Sequence, residues 1–266
     1  MKKRYAVGVD VGSTCAKTVV LDEKGEILHR DLRPTGWSSV ETAEVIRRDI
    51  LDEDFLSNLS RVEGEQPEVR CVATGYGRIS VPFADKCVTE ISCHAKGAVH
   101  LFALADLNVI DVGGQDTKLI AIENGSVAEF VMNDKCSAGT GRFLEVMANT
   151  LSVSPAGLCE MASRGKETHI SSLCTVFAES EVISLIGRGT PREDIAYAVV
   201  DSIVQKVKQQ SGKLPFGRGA LCLTGGLCDF EYFRTMLSRA FKREVITSPD
   251  ARFAGALGAA LYALSL

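Results

Sequence analysis

The chain has 266 residues, of which 45% are hydrophobic and 24% are charged, and this composition is ordinary for a globular protein of one or two domains. A formal net charge of −4 gives no electrostatic case for nucleic-acid binding, and the absence of a run of 18 or more apolar residues excludes a predicted membrane span. The chain has nine cysteines, an odd number, and its basic start leads into an apolar run that is too short for a signal peptide. Both features argue against a disulfide framework. We therefore expect a cytoplasmic protein.

The first part of the chain predicts strands alternating with helices. Residues 4–11 and 17–22 are expected to be strands, because β-branched residues and period-two stretches occur there. A further strand is predicted over 69–73. Apolar residues on one face predict helices over 39–60 and 90–105.

The second part repeats this alternation. Strands are predicted at 108–111 and 220–223, and a helix at 142–150. The sequence TPRE at 190–193 has the form of a capping box with proline at the first helical position, so it predicts a helix start. An Ala-rich apolar helix is expected over 253–264.

One strand–turn–strand pattern occurs twice, as VGVDVGSTCAKTVVLDEKGEIL and as VIDVGGQDTKLIAIENGSVAEF. The offset is 101 residues at each of three matched pairs: Asp10 and Asp111, Gly12 and Gly113, Lys17 and Lys118. A repeat of whole supersecondary units predicts two similar half-domains. We place them at 1–105 and 106–266, with the C-terminal helix packing back on the first half.

Both turns have the chemistry of a polyphosphate site, and we expect them to face each other across a cleft. Glycine lets the backbone approach a phosphate closely, and hydroxyl and ammonium groups add donors. Asp10 and Asp111, at strand ends, are placed to hold Mg²⁺ directly or through its waters, and Gln115 or Asp116 to orient the attacking water. These four carboxylate and amide side chains are the catalytic candidates.

A third glycine turn at 224–226 would let a nucleoside lie against the backbone. A single turn of this kind is more often only a hairpin, but three of them, two being near-copies, favour a nucleotide site. The predicted nucleotide-binding residues are Gly12, Ser13, Thr14, Cys15, Ala16, Lys17, Gly113, Gly114, Gly139, Thr140, Thr224, Gly225 and Gly226.

The pattern is neither a P-loop nor a Rossmann fingerprint, since GxxxxGK[ST] and GxGxxG are both absent. It resembles the actin, hexokinase and Hsp70 ATPase superfamily, with its two phosphate turns and an adenosine turn. The expected fold class is therefore α/β, a two-domain actin/hexokinase/Hsp70-like ATPase built from duplicated ribonuclease H-like halves.

Two cysteines precede predicted helices: Cys136 in NDKCSAGTGRFLEVM and Cys174 in SSLCTVFAESEVISLI. A helix N-terminus favours a thiolate, and equally an anionic iron–sulfur cluster. A [4Fe–4S] cluster takes four thiolates, and two cysteines from each of two subunits on a two-fold axis would supply them. From spacing alone, a buried cysteine or a redox-active thiol is the stronger interpretation.

The other cysteines have simpler interpretations. Cys71 and Cys222 lie in predicted strands and Cys159 in a short helix, so all three are expected to be core or packing residues. The rival cluster-ligand candidates are Cys87, Cys93 and Cys228. His94 is expected to be a helix residue bonded to the backbone.

Longer blocks resemble one family over the whole chain. They are ATGYGR (73–78), SCHA (92–95), DVGGQDTK (111–118), NDKCSAGTGRFLEVMAN (133–149) and SSLCTVFAESEVIS (171–184). These blocks are similar to the activator (component A) of 2-hydroxyacyl-CoA dehydratases, in the BadF/BadG/BcrA/BcrD-type ATPase family. That group includes the ATPase subunits of benzoyl-CoA reductase.

The resemblance implies a homodimer with one [4Fe–4S] cluster, whose ligands are Cys136 and Cys174 of each chain. It also implies that binding and hydrolysis of ATP, with Mg²⁺, change the angle between the two cluster-bearing helices. A low-potential electron, received from a reduced ferredoxin or flavodoxin, then passes to a dehydratase-type partner in an anaerobic metabolism. The chain departs from the family pattern at Cys15 and at Leu227–Phe230, after the adenosine turn.

Two other functions stay open. One is a small-molecule kinase of the same fold, which would need an Asp base beside its substrate pocket. The other is a nucleotide-switched binding module, comparable to a chaperone or an actin-type filament, without iron.

Overall fold

The structure is a computed structural model that describes residues 3–50, 67–133, 135–171, 174–214 and 216–266. The part of the predicted helix 39–60 that follows residue 50 lies outside the described residues. No helix in these ranges combines the length and hydrophobicity needed to cross a bilayer.

The chain divides into two compact units. The first comprises Met1–Leu104, Gly125–Val127 and Phe253–Leu266. The second comprises Ala105–Asn124 and Ala128–Arg252. The C-terminal helix therefore belongs to the unit formed by the start of the chain.

The first unit is built on a five-stranded sheet with strand order β3-β2-β1-β4-β5. Its strands are β1 (Arg4–Val11), β2 (Cys15–Leu21), β3 (Ile27–Pro34), β4 (Glu68–Thr74) and β5 (Lys86–Cys87). The β1–β2 and β2–β3 pairs are antiparallel, whereas β1–β4 and β4–β5 are parallel. β1 is central and covered on both faces, which explains its nearly continuous apolar run.

Helices cover both faces of this first sheet. They are α1 (Ser39–Ile50), α2 (Glu90–Phe102) and α8 (Ala254–Ala263). Ala43 and Ile46 of α1 pack on one face, and the small residues of α8 pack on the other. A side chain at Gly258 of α8 would collide with the backbone of Cys93, so glycine is what allows α8 and α2 to approach so closely.

The second unit repeats this topology, with strand order β10-β9-β6-β7-β8. Its strands are β6 (Leu107–Val112), β7 (Thr117–Glu123), β8 (Ser126–Asn133), β9 (Ala220–Gly225) and β10 (Val245–Ile246). As in the first sheet, the hairpin pair β6–β7 is antiparallel, and β6–β9 and β9–β10 are parallel. The repeated sequence pattern therefore folds into the same strand arrangement twice.

The helices of the second unit are α3 (Gly141–Thr150), α4 (Pro155–Ala162), α5 (Thr175–Gly187), α6 (Arg192–Ser211) and α7 (Glu231–Phe241). The predicted capping box at 190–193 does not form: Pro191 is the N-cap of α6 and no side chain caps this helix. Pro191 is extended, with ψ at 139°, so the helix starts one residue later than the pattern predicts. The Thr190 side chain is therefore outside the capping position.

Candidate functional site

The first predicted phosphate turn connects β1 to β2. The N–H of Gly12 donates to Cys15 O at 3.1 Å. Asp10 is 5% exposed, and its Oδ2 lies 3.7 Å from Lys17 Nζ. Its Oδ1 is buried and has no hydrogen-bond partner among the described residues. Because an unsatisfied buried acceptor costs roughly 1–3 kcal/mol, this atom is suited to accept a bond from a water molecule or to ligate a cation.

The predicted phosphate-binding residues of this turn differ in solvent exposure. Ser13 and Thr14 are exposed, Cys15 is half-buried and Ala16 is buried in the core. Two hydroxyl groups are therefore accessible to a ligand. Ala16 lies on β2 opposite Val11. Its buried side chain has no polar group and would not contact a ligand.

The second phosphate turn connects β6 to β7 and has the same backbone bond, from Gly113 N–H to Asp116 O at 2.9 Å. Lys118 Nζ lies 3.3 Å from Asp111 Oδ2 and 2.7 Å from Asp116 Oδ2. Thr224 Oγ1 donates to Asp111 Oδ1 at 3.2 Å. Both oxygens of this strand-end carboxylate are therefore engaged, whereas in its counterpart Asp10 Oδ2 is paired with Lys17 and Oδ1 has no hydrogen-bond partner among the described residues.

The two matched lysines differ in environment. The side chain of Lys17 is 18% exposed, whereas that of Lys118 is 2% exposed and lies between two carboxylates. Lys17 is thus the more accessible ammonium for a phosphate. Asp116 is held by Lys118, while Gln115 is exposed. Of these two candidates for orienting the attacking water, the side-chain amide of Gln115 is therefore the less constrained.

A further pair of matched residues was not identified from the sequence. β4 ends in Thr74-Gly75 beside Asp10, just as β9 ends in Thr224-Gly225 beside Asp111. Both glycines have positive φ, +85° and +82°, and a Cβ on either would collide with the neighbouring carboxylate. The signal was present in the sequence as a Thr-Gly after the fourth strand of each unit, but its meaning depends on which strands pair in parallel.

The third glycine turn follows β9. The N–H of Gly226 donates to Val112 O at 2.9 Å, which ties this turn to the strand carrying the second phosphate turn. An open cavity of about 460 Å³ lies nearby, between α4 and the start of α7. Its walls include Cys159, Asp229, Phe230 and Tyr232, and its volume suits a nucleoside base.

Cys136 and Cys174 are both exposed and lie on adjoining segments of the second unit. Cys174 is the N-cap of α5, as its position before a helix predicts. Ser137 and Thr175, the residues that follow the two cysteines, form a hydroxyl–hydroxyl hydrogen bond of 2.8 Å. Two segments whose cysteines are 38 positions apart in the chain (174 − 136) therefore meet at the residues that directly follow those cysteines.

The environment of Cys136 differs from the predicted one. α3 has Thr140 as its N-cap, so Cys136 lies four residues before the cap and not at the helix start. The first N–H groups of α3 are already used, since those of Gly141 and Arg142 donate to the carbonyls of the second phosphate turn. Gly139 and Thr140, predicted to bind nucleotide, lie between Cys136 and the first residue of α3.

The remaining cysteines separate by burial. Cys71 and Cys222 are core residues and Cys159 is packed, as predicted. Burial raises the pKa of the thiols to about 12 at five positions: Cys71, Cys93, Cys159, Cys222 and Cys228. Among the rival ligand candidates, only Cys87 is exposed. His94 is buried within α2, as expected for a helix residue.

The fold and the paired phosphate turns define the class of protein. The duplicated sheets are those of an actin/hexokinase/Hsp70-like ATPase. A ROK family glucokinase from Streptomyces griseus, solved with glucose and AMPPNP, shares this fold with a TM-score of 0.61 at 15% identity, over 98% of this chain and 100% of that one. The predicted fold class is confirmed.

The particular family is shown by a family model, the BadF/BadG/BcrA/BcrD ATPase family, which matches residues 7–263. The chain belongs to this family, and the predicted resemblance is confirmed. It is 41% identical to the (R)-2-hydroxyglutaryl-CoA dehydratase activating ATPase of Acidaminococcus fermentans, over 97% of this chain and 96% of that protein.

Two solved structures agree with this assignment. The crystal structure of component A of the A. fermentans (R)-2-hydroxyglutaryl-CoA dehydratase matches with a TM-score of 0.88 at 40% identity, over 98% of each chain. The activator of the 2-hydroxyisocaproyl-CoA dehydratase from Clostridium difficile, solved with bound ADPNP, matches with a TM-score of 0.86 at 35% identity. That match covers 98% of this chain and 94% of the other.

Proposed function

We propose that this protein is an ATP-hydrolysing homodimer that holds one [4Fe–4S] cluster between its two copies. In this proposal, nucleotide turnover delivers a low-potential electron to a 2-hydroxyacyl-CoA dehydratase-type partner. The observation that carries it is the exposed cysteine pair, joined through the Ser137–Thr175 bond, in a member of an ATPase family. Relatives of this chain are named as activators of such dehydratases.

The nucleotide part of the proposal rests on the two phosphate turns. Backbone N–H groups of both turns bind phosphate, and the accessible ammonium of Lys17 adds charge neutralisation. The unpartnered Oδ1 of Asp10 fits Mg²⁺ or one of its waters, because oxygen ligands suit this cation. Asp111 is held in position by Thr224 and Lys118.

The hydrolytic water and the nucleoside have separate sites in this proposal. Gln115, exposed at the second turn, orients the water. The cavity between α4 and α7 takes the base, with Phe230 and Tyr232 among its walls. The adenosine turn lies next to this cavity, since Phe230 follows Gly226 by four residues.

The cysteine part of the proposal rests on donor chemistry. Thiolates are the usual ligands of iron–sulfur clusters, and Cys136 and Cys174 are exposed on segments joined by the Ser137–Thr175 bond. In the described part of one chain, no three Cys, His, Asp or Glu side chains are grouped to hold a metal ion. Two ligands from each chain, across a two-fold axis, would complete a set of four.

Such a cluster supplies one-electron transfer at low potential when bound. We propose a reduced ferredoxin or flavodoxin as the donor. Lowering the potential of one electron by about 0.3 V costs roughly 7 kcal/mol, since 30 mV in a two-electron couple is about 1.4 kcal/mol. The role of the chain is to hold the two thiolates at the surface and to move them in response to nucleotide.

The surface of α5 supports a protein contact at this place. The exposed large residues of this helix are Val176, Phe177, Ile183 and Ile186, each 44–68% exposed. No charged residue lies among the exposed positions of α5, because Glu179 and Glu181 are only partly exposed. Apolar surface without charge is typical of the centre of protein interfaces.

Iron analysis of anaerobically reconstituted protein tests the proposal. We expect about four iron and four acid-labile sulfide per dimer, and loss of both in Cys136→Ser and in Cys174→Ser. Cys87→Ser is the matched control, since it also removes an exposed thiol, and it should keep full iron content. Wild-type protein with near-zero iron, or full iron content in both ligand variants, would contradict the cluster assignment.

Turnover with nucleotide tests the other half. Asp10→Asn should lower the ATPase rate on the order of 100-fold, because a group that positions charge for phosphoryl transfer typically contributes 10²–10³. Colourless protein with normal ATPase turnover would remove the electron-transfer role and keep the ATPase. ATP consumed only with an added hydroxyl substrate would instead favour the kinase interpretation.

A further inference from the structure

The second phosphate turn is bonded directly to the segment that carries Cys136. The N–H groups of Gly141 and Arg142 donate to Gly113 O and Gly114 O at 2.9 and 2.7 Å. These are the first N–H groups of α3, which have no partner within the helix. The first turn of α3 therefore moves with the phosphate turn.

A buried hydroxyl adds a second connection. Thr117, which directly follows the turn and is 1% exposed, donates from Oγ1 to Gly139 O at 2.7 Å. Leaving a buried hydrogen-bonding group without its partner costs free energy. Any displacement of the turn is thus transmitted to the loop before α3.

The loop itself is internally fixed up to Cys136. Thr140, which is fully buried, donates from Oγ1 to Ser137 O at 2.6 Å. Asn133 Nδ2 donates to Cys136 O at 2.9 Å and to Ala138 O at 3.2 Å. The peptide that carries the first cysteine is therefore held from both sides.

The connection then reaches the second cysteine through one bond. Ser137 Oγ and Thr175 Oγ1 lie 2.8 Å apart, and Thr175 is the first residue of α5, next to its N-cap Cys174. Another side-chain contact between α3 and α5, from Thr150 Oγ1 to Glu179 Oε1, is longer, at 3.3 Å. It lies about one helical turn further along α5, four residues beyond Thr175.

We propose that Ser137 and Thr175 are a positioning pair: their hydroxyl bond makes Cys174 follow the nucleotide state of the second phosphate turn together with Cys136. This inference rests on the proposed function, since it assigns a route for the nucleotide-driven movement of the two ligands. Without the bond, the turn still moves Cys136, but the start of α5 and its N-cap lose their hydrogen bond to that loop, while the Thr150–Glu179 bond further along α5 remains. The two thiols then respond differently to nucleotide.

Thiol alkylation of the iron-free full-length chain measures this response at each cysteine. Iodoacetamide is added anaerobically with ADP or with AMPPNP, and the rates at residues 136 and 174 are read by peptide mass spectrometry. Cys87 is an exposed internal reference in the other unit. The five buried thiols, whose pKa values are raised to about 12 by burial, react slowly.

In the wild type we expect exchange of ADP for AMPPNP to change both rates about fivefold, the lower end of typical coupling between sites. In Thr175→Val, which keeps the β-branched shape and removes the hydroxyl, the Cys136 response should stay and the Cys174 response should fall, because the Thr150–Glu179 bond further along α5 remains. Ser137→Ala should give the same separation, and Thr175→Ser should restore the wild-type response. Thr42→Val removes a comparable threonine bond in the first unit and should leave both responses intact.

A Cys174 response in Thr175→Val that equals the wild-type response would overturn the inference, as would a wild type in which neither thiol responds while nucleotide binding is saturated. Binding of a fluorescent ADP analogue by each variant establishes that saturation. Failure of the proposed function is distinguished by a different result: little iron after reconstitution, whatever the thiols do. These response measurements are needed because a continuous chain of hydrogen bonds does not by itself prove that two sites are energetically coupled.

Discussion

Replacing Gly225 with alanine tests whether the second phosphate turn depends on the bare backbone at the end of β9, the fourth strand of the second unit. Gly225 has φ +82°, and a Cβ there would lie 2.5 Å from Asp111 Oδ1 and 2.5 Å from Val112 O. Gly189, in the same unit, has φ +76° and nothing within 4 Å of an added Cβ. Both substitutions carry the left-handed backbone cost of about 1–2 kcal/mol, so their difference isolates the collisions at Gly225, with the Asp111 carboxylate and with the Val112 carbonyl.

The magnitude of that difference follows from what Asp111 would lose. A displaced carboxylate gives up the Thr224 bond at 3.2 Å and the Lys118 contact at 3.3 Å. Breaking a buried ion pair by disturbing one partner costs about 3–5 kcal/mol. We therefore expect Gly225→Ala to lower the free energy of unfolding by about 3–5 kcal/mol more than Gly189→Ala.

Urea unfolding of both variants measures this, with the m-value compared to that of the wild type. ATPase turnover is measured on the fraction that remains folded, where Gly189→Ala should be unchanged and Gly225→Ala strongly reduced. If the two variants have unfolding free energies within about 1 kcal/mol of each other, the carboxylate is not held against the glycine backbone, and the reasoning fails.

Two further predictions concern buried ionisable groups. Lys118→Met should cost about 3–5 kcal/mol in urea unfolding, because it leaves the carboxylates of Asp111 and Asp116 close together without their shared cation; a cost below about 1 kcal/mol would mean that the ammonium contributes little. Raising the pH from 8 to 10 should also destabilise the protein. Burial raises the pKa of Cys71 from 9.0 to about 12, so the stability that its neutral thiol contributes is fully present below pH 9 and is lost as pH rises from 9 towards 12, by roughly 1 kcal/mol at pH 10. The four other buried cysteines act in the same direction, and equal unfolding free energies at pH 8 and pH 10 would contradict this account.

Local patterns decided much of the architecture. The strand of residues 4–11, the hairpins and the helix of 253–264 were predictable because their hydrophobic periods and turns are short-range features. The matched Asp, Gly and Lys residues of the two hairpins identified the duplication for the same reason. The capping box at 190–193 failed because the conformation of Pro191 shifts the helix start by one residue, which the pattern alone does not fix.

The site depended on contacts between distant segments. The sequence by itself determined that two Asp-Gly turns exist and that two cysteines precede helices. Only the tertiary structure decided that Lys118 is buried between two carboxylates whereas Lys17 is accessible. The second turn places Asp116 beside its lysine, and the first turn has no aspartate at the matching position. It also decided that the segments carrying Cys136 and Cys174 meet, since the hydrogen bond between Ser137 and Thr175 joins residues 38 positions apart in the chain (175 − 137).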